Sequence, residues 1–118
     1  MENMERGEAI AAAGPNKGPR VTLAQVMGSI REVYYLNPGD ILEQTGSPLN
    51  TITICVAVLY NGWVVTSRGV APAAPENYDP EIGRKLAYED VVRQIWPLMG
   101  FLLRQTIYEI DNEQKLGG

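Results

Sequence analysis

Arg68, Arg84, Arg93 and Arg104 are the side chains of this sequence best fitted to ligand chemistry, because a guanidinium fork donates two parallel hydrogen bonds to a phosphate or carboxylate. Lys85 adds a further cation, Asn77 and Tyr78 supply an amide and a phenol, and Trp63 supplies an indole able to stack on a base. Together they suit a small anion with aromatic parts. The competing reading is that the cations pair with Glu81, Glu89 and Asp90 along a wet helix face, and that Trp63 packs across a strand pair beside Asn61-Gly62. The carboxylates Asp79, Glu81, Glu89 and Asp90 could form an acid–base pair or bind a divalent ion, but capping and solvation explain them better. Gly83 belongs to no phosphate-loop pattern, so its expected use is close backbone approach by a neighbouring chain or ligand.

The element that must carry most of these groups runs from Asn77 to Trp96. Asp79 is a good N-cap, Pro80 suits the first helical position, and Glu81 places negative charge where the helix dipole favours it. Ile82, Leu86, Val91, Val92, Ile95 and Trp96 then recur at helical spacing and are expected to form the buried stripe, with Arg84, Lys85, Glu89, Asp90 and Arg93 on other sides. Leu98, Met99, Leu102, Leu103, Ile107 and Ile110 continue the pattern to about Asp111, but Pro97 removes a helical hydrogen bond, which predicts a kink or break there. This second segment is apolar around more of its girth than one small sheet can cover, so a second copy of the helix is its simplest cover.

Upstream, Thr22 and Gln25 have the spacing of a capping box, with Val21 placed to staple against Val26, and predict a short helix from Leu23 to about Ser29. The β-branched and aromatic run Ile30–Leu36 favours a strand, although it could also prolong that helix. Asn37-Pro38-Gly39-Asp40 reads as a turn leading into a loop that ends near Asn50. Thr51–Tyr60 and Trp63–Val70, joined by Asn61-Gly62, predict a hairpin with a two-residue type I′ turn. That turn pairs Tyr60 with Trp63, Val58 with Val65 and Val56 with Ser67 on an apolar face, leaving Leu59, Ala57 and Cys55 on the other with Val64, Thr66 and Arg68. An extended connector over Ala71–Pro75 follows. The fold class expected is α+β: a small antiparallel sheet with a central hairpin, a short N-terminal helix and a long C-terminal helical segment, in an oligomer. Residues 1–20 read as a disordered tail, 21–112 as one domain and 113–118 as a frayed end.

Composition narrows the function classes. Ten Lys and Arg stand against fourteen Asp and Glu, a net charge of −4, which argues against a duplex nucleic-acid partner. No run is long and apolar enough to span a bilayer and no signal peptide opens the chain, so no membrane partner and a cytoplasmic location are expected. With no histidine and a single cysteine, Cys55, the chain lacks the commonest general base, and neither catalytic residues, a metal site nor a cofactor is expected.

Asn77-Tyr78-Asp79, then Glu81-Ile82-Gly83-Arg84-Lys85, Ala87-Tyr88-Glu89, Ile95-Trp96 and Leu98-x-Gly100-Phe101-x-Leu103 resemble a family of small phage-encoded proteins, over about Thr22 to Arg104. The group is similar to the Thoeris anti-defence proteins of the first type, phage sponges that sequester cyclic nucleotide signals of bacterial immunity. The resemblance implies an α+β domain that forms dimers and then a hexamer in the host bacterial cytoplasm. It also implies binding of glycocyclic ADP-ribose without cleavage, and in some members binding of cyclic oligonucleotides in separate pockets. The positions expected to bind are Asn77, Tyr78, Arg84 and Arg93, with Arg68 and Arg104 as further candidates. The alternative is a protein-interaction module that inhibits a host protein, with the cations as rim charges.

Overall fold

The computed structural model describes residues 18–117, so most of the expected tail, residues 1–17, lies outside the described residues. The described chain runs through helix α1 (Leu23–Gly28), strand β1 (Ile30–Leu36), a one-turn helix α2 (Pro38–Ile41), a 3-10 turn (Pro48–Thr51), strands β2 (Ile54–Leu59) and β3 (Val64–Thr66), a second 3-10 turn (Pro75–Asn77) and helix α3 (Pro80–Gly117). The fold is α+β, with a three-stranded antiparallel sheet in the order β1-β2-β3. Contacts divide the chain into two compact units, one of residues 29–94 and one of the segments that precede and follow it.

In the first unit, β1 pairs with β2 from Ile30 opposite Leu59 to Leu36 opposite Ile54, with a bulge at Arg31. The ambiguous run Ile30–Leu36 is therefore a strand. The β2–β3 hairpin is present, but its register differs from the expected one by one residue: Val58 faces Val64, Ala57 faces Val65 and Val56 faces Thr66. The reason is the turn. The Gly62 N–H donates to the Leu59 carbonyl at 2.9 Å and the Leu59 N–H to the Trp63 carbonyl at 2.8 Å, and Gly62 has φ of 89°. Among the described residues only Glu43 is a non-glycine with positive φ, so Asn61 does not take the left-handed conformation that a type I′ turn requires of both central residues. The loop is a three-residue one, a type I turn closed by a glycine bulge.

That slip also reverses the expected face. Cys55, Ala57 and Leu59, with Val65 and Ser67, are buried, while Val56 and Val58 are half-buried and Val64 exposed. A second bulge follows β3. The Ser67 N–H donates to the Cys55 carbonyl at 2.8 Å and Thr53 forms an isolated bridge with Val70, so Arg68 and Gly69 together stand opposite Ile54.

α3 begins as the sequence predicts, with Asp79 Oδ1 accepting from the Glu81 N–H at 2.9 Å. Its buried side keeps only part of the expected stripe, Val91 and Ile95 being fully buried. Ile82 and Leu86 are 55% and 45% exposed, whereas Gly83, Ala87, Asp90 and Val91 are buried. Small residues let the helix sit close to the sheet: a Cβ on Gly83 would run into Thr53 Oγ1 and lie 3.2 Å from Thr53 Cβ. The close neighbour that glycine serves is thus a strand of its own chain.

In the second unit, Thr22 and Gln25 close the predicted capping box, the Thr22 N–H donating to Gln25 Oε1 at 2.9 Å and the Gln25 N–H to Thr22 Oγ1 at 3.2 Å. Val26 and Ile95 are fully buried. Helix α3 is continuous past Pro97, so of the expected kink or break the break does not occur, and the helix runs on to Gly117. Proline in a helix interior costs about 3 kcal/mol, and the helical residues on both sides of it withstand that cost. Phe101 is 70% exposed, and Leu98, Leu102, Tyr108 and Ile110 are also exposed.

Gly83→Ala would stabilise an open helix by up to about 1 kcal/mol. Against Thr53 it is expected instead to destabilise by about 1 to 3 kcal/mol through overpacking, read as a lower urea midpoint. An unchanged or higher midpoint would show that the helix and sheet are not in the close contact described.

Candidate functional site

The sequence-predicted cations separate into two places in the 29–94 unit. Arg84 and Arg93 are nine positions apart on one helix, half a turn out of phase and about 13 Å along the axis, so they cannot close on one small anion. Arg93 and Arg68 instead converge on Asp90, with Nη1 and Nη2 at 3.0 and 3.3 Å from Asp90 Oδ1. The Arg68 backbone N–H, which points away from β2 on this edge strand, donates to Asp90 Oδ2 at 2.9 Å, and Gln94 Nε2 donates to the same oxygen at 3.0 Å. Gln94 also reaches the Thr66 carbonyl at 2.8 Å. The carboxylate is buried and both arginines are largely exposed. The Arg68 backbone donor, aided by Gln94 and the Arg68 charge, holds the Asp90 carboxyl below the usual carboxylate range despite its burial. This cluster ties helix to sheet, and the pairing with Asp90 is the ion-pair reading of two of the cations.

Arg84 stands elsewhere and makes no ion pair among the described residues. It lines an open cleft of about 400 Å³ with Tyr35, Leu36, Asn37, Asp40, Ile41, Thr53, Tyr78 and Pro80. β1 supplies Tyr35, α2 and its cap supply Asn37 and Asp40, and the first turns of α3 supply Arg84. Burial pushes the Tyr35 phenol up, as does the neighbouring Cys55, and Arg84 is near enough to oppose that rise. The cleft wall beside α2 is stiff. Asn37 Oδ1 accepts from the Asp40 N–H and from Asn50 Nδ2, both at 3.2 Å, while Asn37 Nδ2 donates to the Asn50 carbonyl at 2.9 Å and to Tyr78 Oη at 3.2 Å. All four hydrogen-bonding capacities of the amide are used, which fixes its orientation and makes the Tyr78 oxygen an acceptor for Asn37. The Tyr78 hydroxyl proton is left to donate towards a ligand. Gly39 is required here because a Cβ would run into the backbone of Asn50.

Tyr78 also lines a narrower groove with Asn77, Ile82 and Gly83, so Asn77 sits next to the Arg84 cleft without lining it. Arg104 lies on α3 in the other unit. Sequence reasoning missed Tyr35, Asn37, Asp40 and Asn50. Asn37 before Pro38 was a visible helix-cap signal, read as a plain turn; the reach of Asn37 to Tyr78 across 41 positions had no local sign.

The chain is thus a small α+β protein with an open cleft at the start of its long helix, and no helix among the described residues is long and apolar enough to cross a membrane. Residues 21–107 match the model of the Phage protein (N4 Gp49/phage Sf6 gene 66) family, and the chain belongs to that family. No curated protein and no solved structure matches it.

Asp90 is depressed in the folded state, so its contribution is present above the unfolded carboxyl value of about 3.9 and lost as pH falls through the lower folded one. Asp90→Asn is expected to cost about 1.5 to 3 kcal/mol at pH 7, with the gap to the unsubstituted protein narrowing below about pH 4. Urea unfolding at pH 7 and pH 3 checks this; a gap that does not depend on pH would mean the carboxylate charge is not what holds Arg68.

Proposed function

We propose that the protein sequesters a small cyclic nucleotide signal of host immunity, of the glycocyclic ADP-ribose type, without cleaving it. The observation that carries this reading is Arg84, a guanidinium without an ion-pair partner among the described residues, facing a cleft that it shares with two phenols. Arg84 and the Tyr78 hydroxyl offer donors to phosphate oxygens, and the Tyr35 ring and Ile41 offer surface to a base. Resemblance to the phage sponges points the same way, and the absence of histidine fits reversible binding better than hydrolysis.

Incubation with a panel of cyclic nucleotides, removal of free ligand, heat denaturation and mass spectrometry of the supernatant should recover one nucleotide intact. Recovery of cleaved product alone would make the protein an enzyme and end the proposal. Arg84→Ala should lose about 1.5 to 3 kcal/mol of affinity by calorimetry with the fold intact, whereas Arg93→Ala should act chiefly on stability through Asp90. Full affinity in the Arg84 variant would remove the cleft from consideration.

Self-association belongs to the same reading, because Leu98, Phe101 and Tyr108 fall on one side of α3 and all are exposed. Phe101→Glu is expected to lower the mass seen by light scattering without changing the helical circular dichroism; a monomeric unsubstituted protein at micromolar concentration would refute it.

A second reading has its own observation: Trp63, beside the hairpin loop, is 59% exposed and Tyr60 also stands out, a display suited to a protein partner. Stoichiometric capture of one host protein together with no nucleotide binding would favour that interaction module.

A further inference from the structure

Asp40 lines the same cleft as Arg84, yet the two charges do not pair with each other among the described residues. Two opposite charges held apart in one cleft would cancel towards a simple anion such as pyrophosphate, and only a ligand that presents both an anionic group and hydrogen-bond donors satisfies both. The carboxylate is fixed in place: Asp40 Oδ1 accepts from Asn50 Nδ2 at 2.7 Å, and the Asp40 N–H is held by Asn37 Oδ1 at 3.2 Å. Asp40 is exposed, and its second oxygen, Oδ2, has no partner among the described residues. The other polar groups of the cleft point the opposite way, since the Arg84 guanidinium is donor-only and Asn37 leaves Tyr78 with a proton to give.

We propose that Asp40 reads the sugar of the bound nucleotide, accepting hydrogen bonds from the vicinal hydroxyls of a ribose while Arg84 and Tyr78 hold the phosphate. The proposal rests on the nucleotide reading of this cleft and adds to it a specificity residue and a ligand class: a ribonucleotide with a free 2′,3′-diol. A carboxylate suits that task because its oxygens are acceptors only, matching hydroxyls that must donate.

The test is calorimetric titration of the full chain with ADP, 2′,3′-dideoxy-ADP, inosine diphosphate and inorganic pyrophosphate, repeated with Asp40→Asn and Arg84→Ala. ADP should bind on the order of tenfold more tightly than dideoxy-ADP, inosine diphosphate should match ADP, and pyrophosphate should bind at least tenfold more weakly than ADP. Asp40→Asn, nearly isosteric, should abolish the preference for ADP over dideoxy-ADP, while loss of its negative charge should tighten dideoxy-ADP and pyrophosphate alike. Asp40→Ser is a second variant should the amide disturb Asn50, and thermal unfolding checks that each is folded. An undiminished diol preference in folded Asp40 variants would overturn the assignment and leave the nucleotide reading standing. Loss of binding with inosine diphosphate and not with dideoxy-ADP would assign Asp40 to the base amino group and equally overturn it. Failure of every linear nucleotide to bind would overturn this inference, whereas the cyclic-nucleotide reading falls only if no intact cyclic nucleotide is recovered from the protein.

Discussion

The buried Asp90 carboxylate is the joint on which the sheet–helix arrangement depends. Its two oxygens gather donors from the bulge after β3, from the next turn of α3 and from Gln94, which in turn holds the Thr66 carbonyl. A buried charge without partners would be costly, and here the partners are a backbone N–H on the outer border of the sheet and two largely exposed guanidiniums. Ser67 spends its N–H on Cys55 of β2, so the alternation of the antiparallel ladder turns the next N–H, that of Arg68, outward from this edge strand to where Asp90 takes it.

Around that joint the helix approaches through small residues. Gly83 and Ala87 hold the first turns of α3 against the sheet, which leaves Ile82 and Leu86 facing outward and places Arg84 at the mouth of the cleft. The opposite wall is set by Asn37, whose saturated amide joins α2, Asn50 and Tyr78 across distant parts of the chain. The donors and acceptors of the cleft are therefore mounted on two hydrogen-bonded supports, the pre-organisation that the proposed binding role requires.

Much of the fold could be read from local signals. The Thr22–Gln25 box and the Asp79-Pro80 start are short-range chemistry and appear as expected. Errors arose where a long-range contact overrode a local rule. Asn61-Gly62 announces a tight turn but not its length, and one residue of slip moved Cys55, Ala57 and Leu59 inward. The apolar stripe of α3 was drawn rightly through Val91 and Ile95 but also through Ile82 and Leu86, whereas close packing selected Gly83, Ala87 and Asp90. Pro97 did not end the helix, because a prolyl interruption removes one hydrogen bond and clashes locally without abolishing the turns around it. Of the cleft residues, Arg84 and Tyr78 were visible as types; that they meet Tyr35, Asn37 and Asp40 depends on tertiary folding alone.

The outer border of β1 has a consequence for solubility. A three-stranded sheet ends in rows of unpaired peptide groups that can recruit strands from other molecules, and the exposed Tyr34, Tyr35 and Leu36 would make such stacking adhesive. The irregularity at Arg31 interrupts that border, and the Arg31–Glu32 ion pair at 2.9 Å keeps opposite charges hydrated beside it. The chain thus carries its own guard against runaway sheet growth.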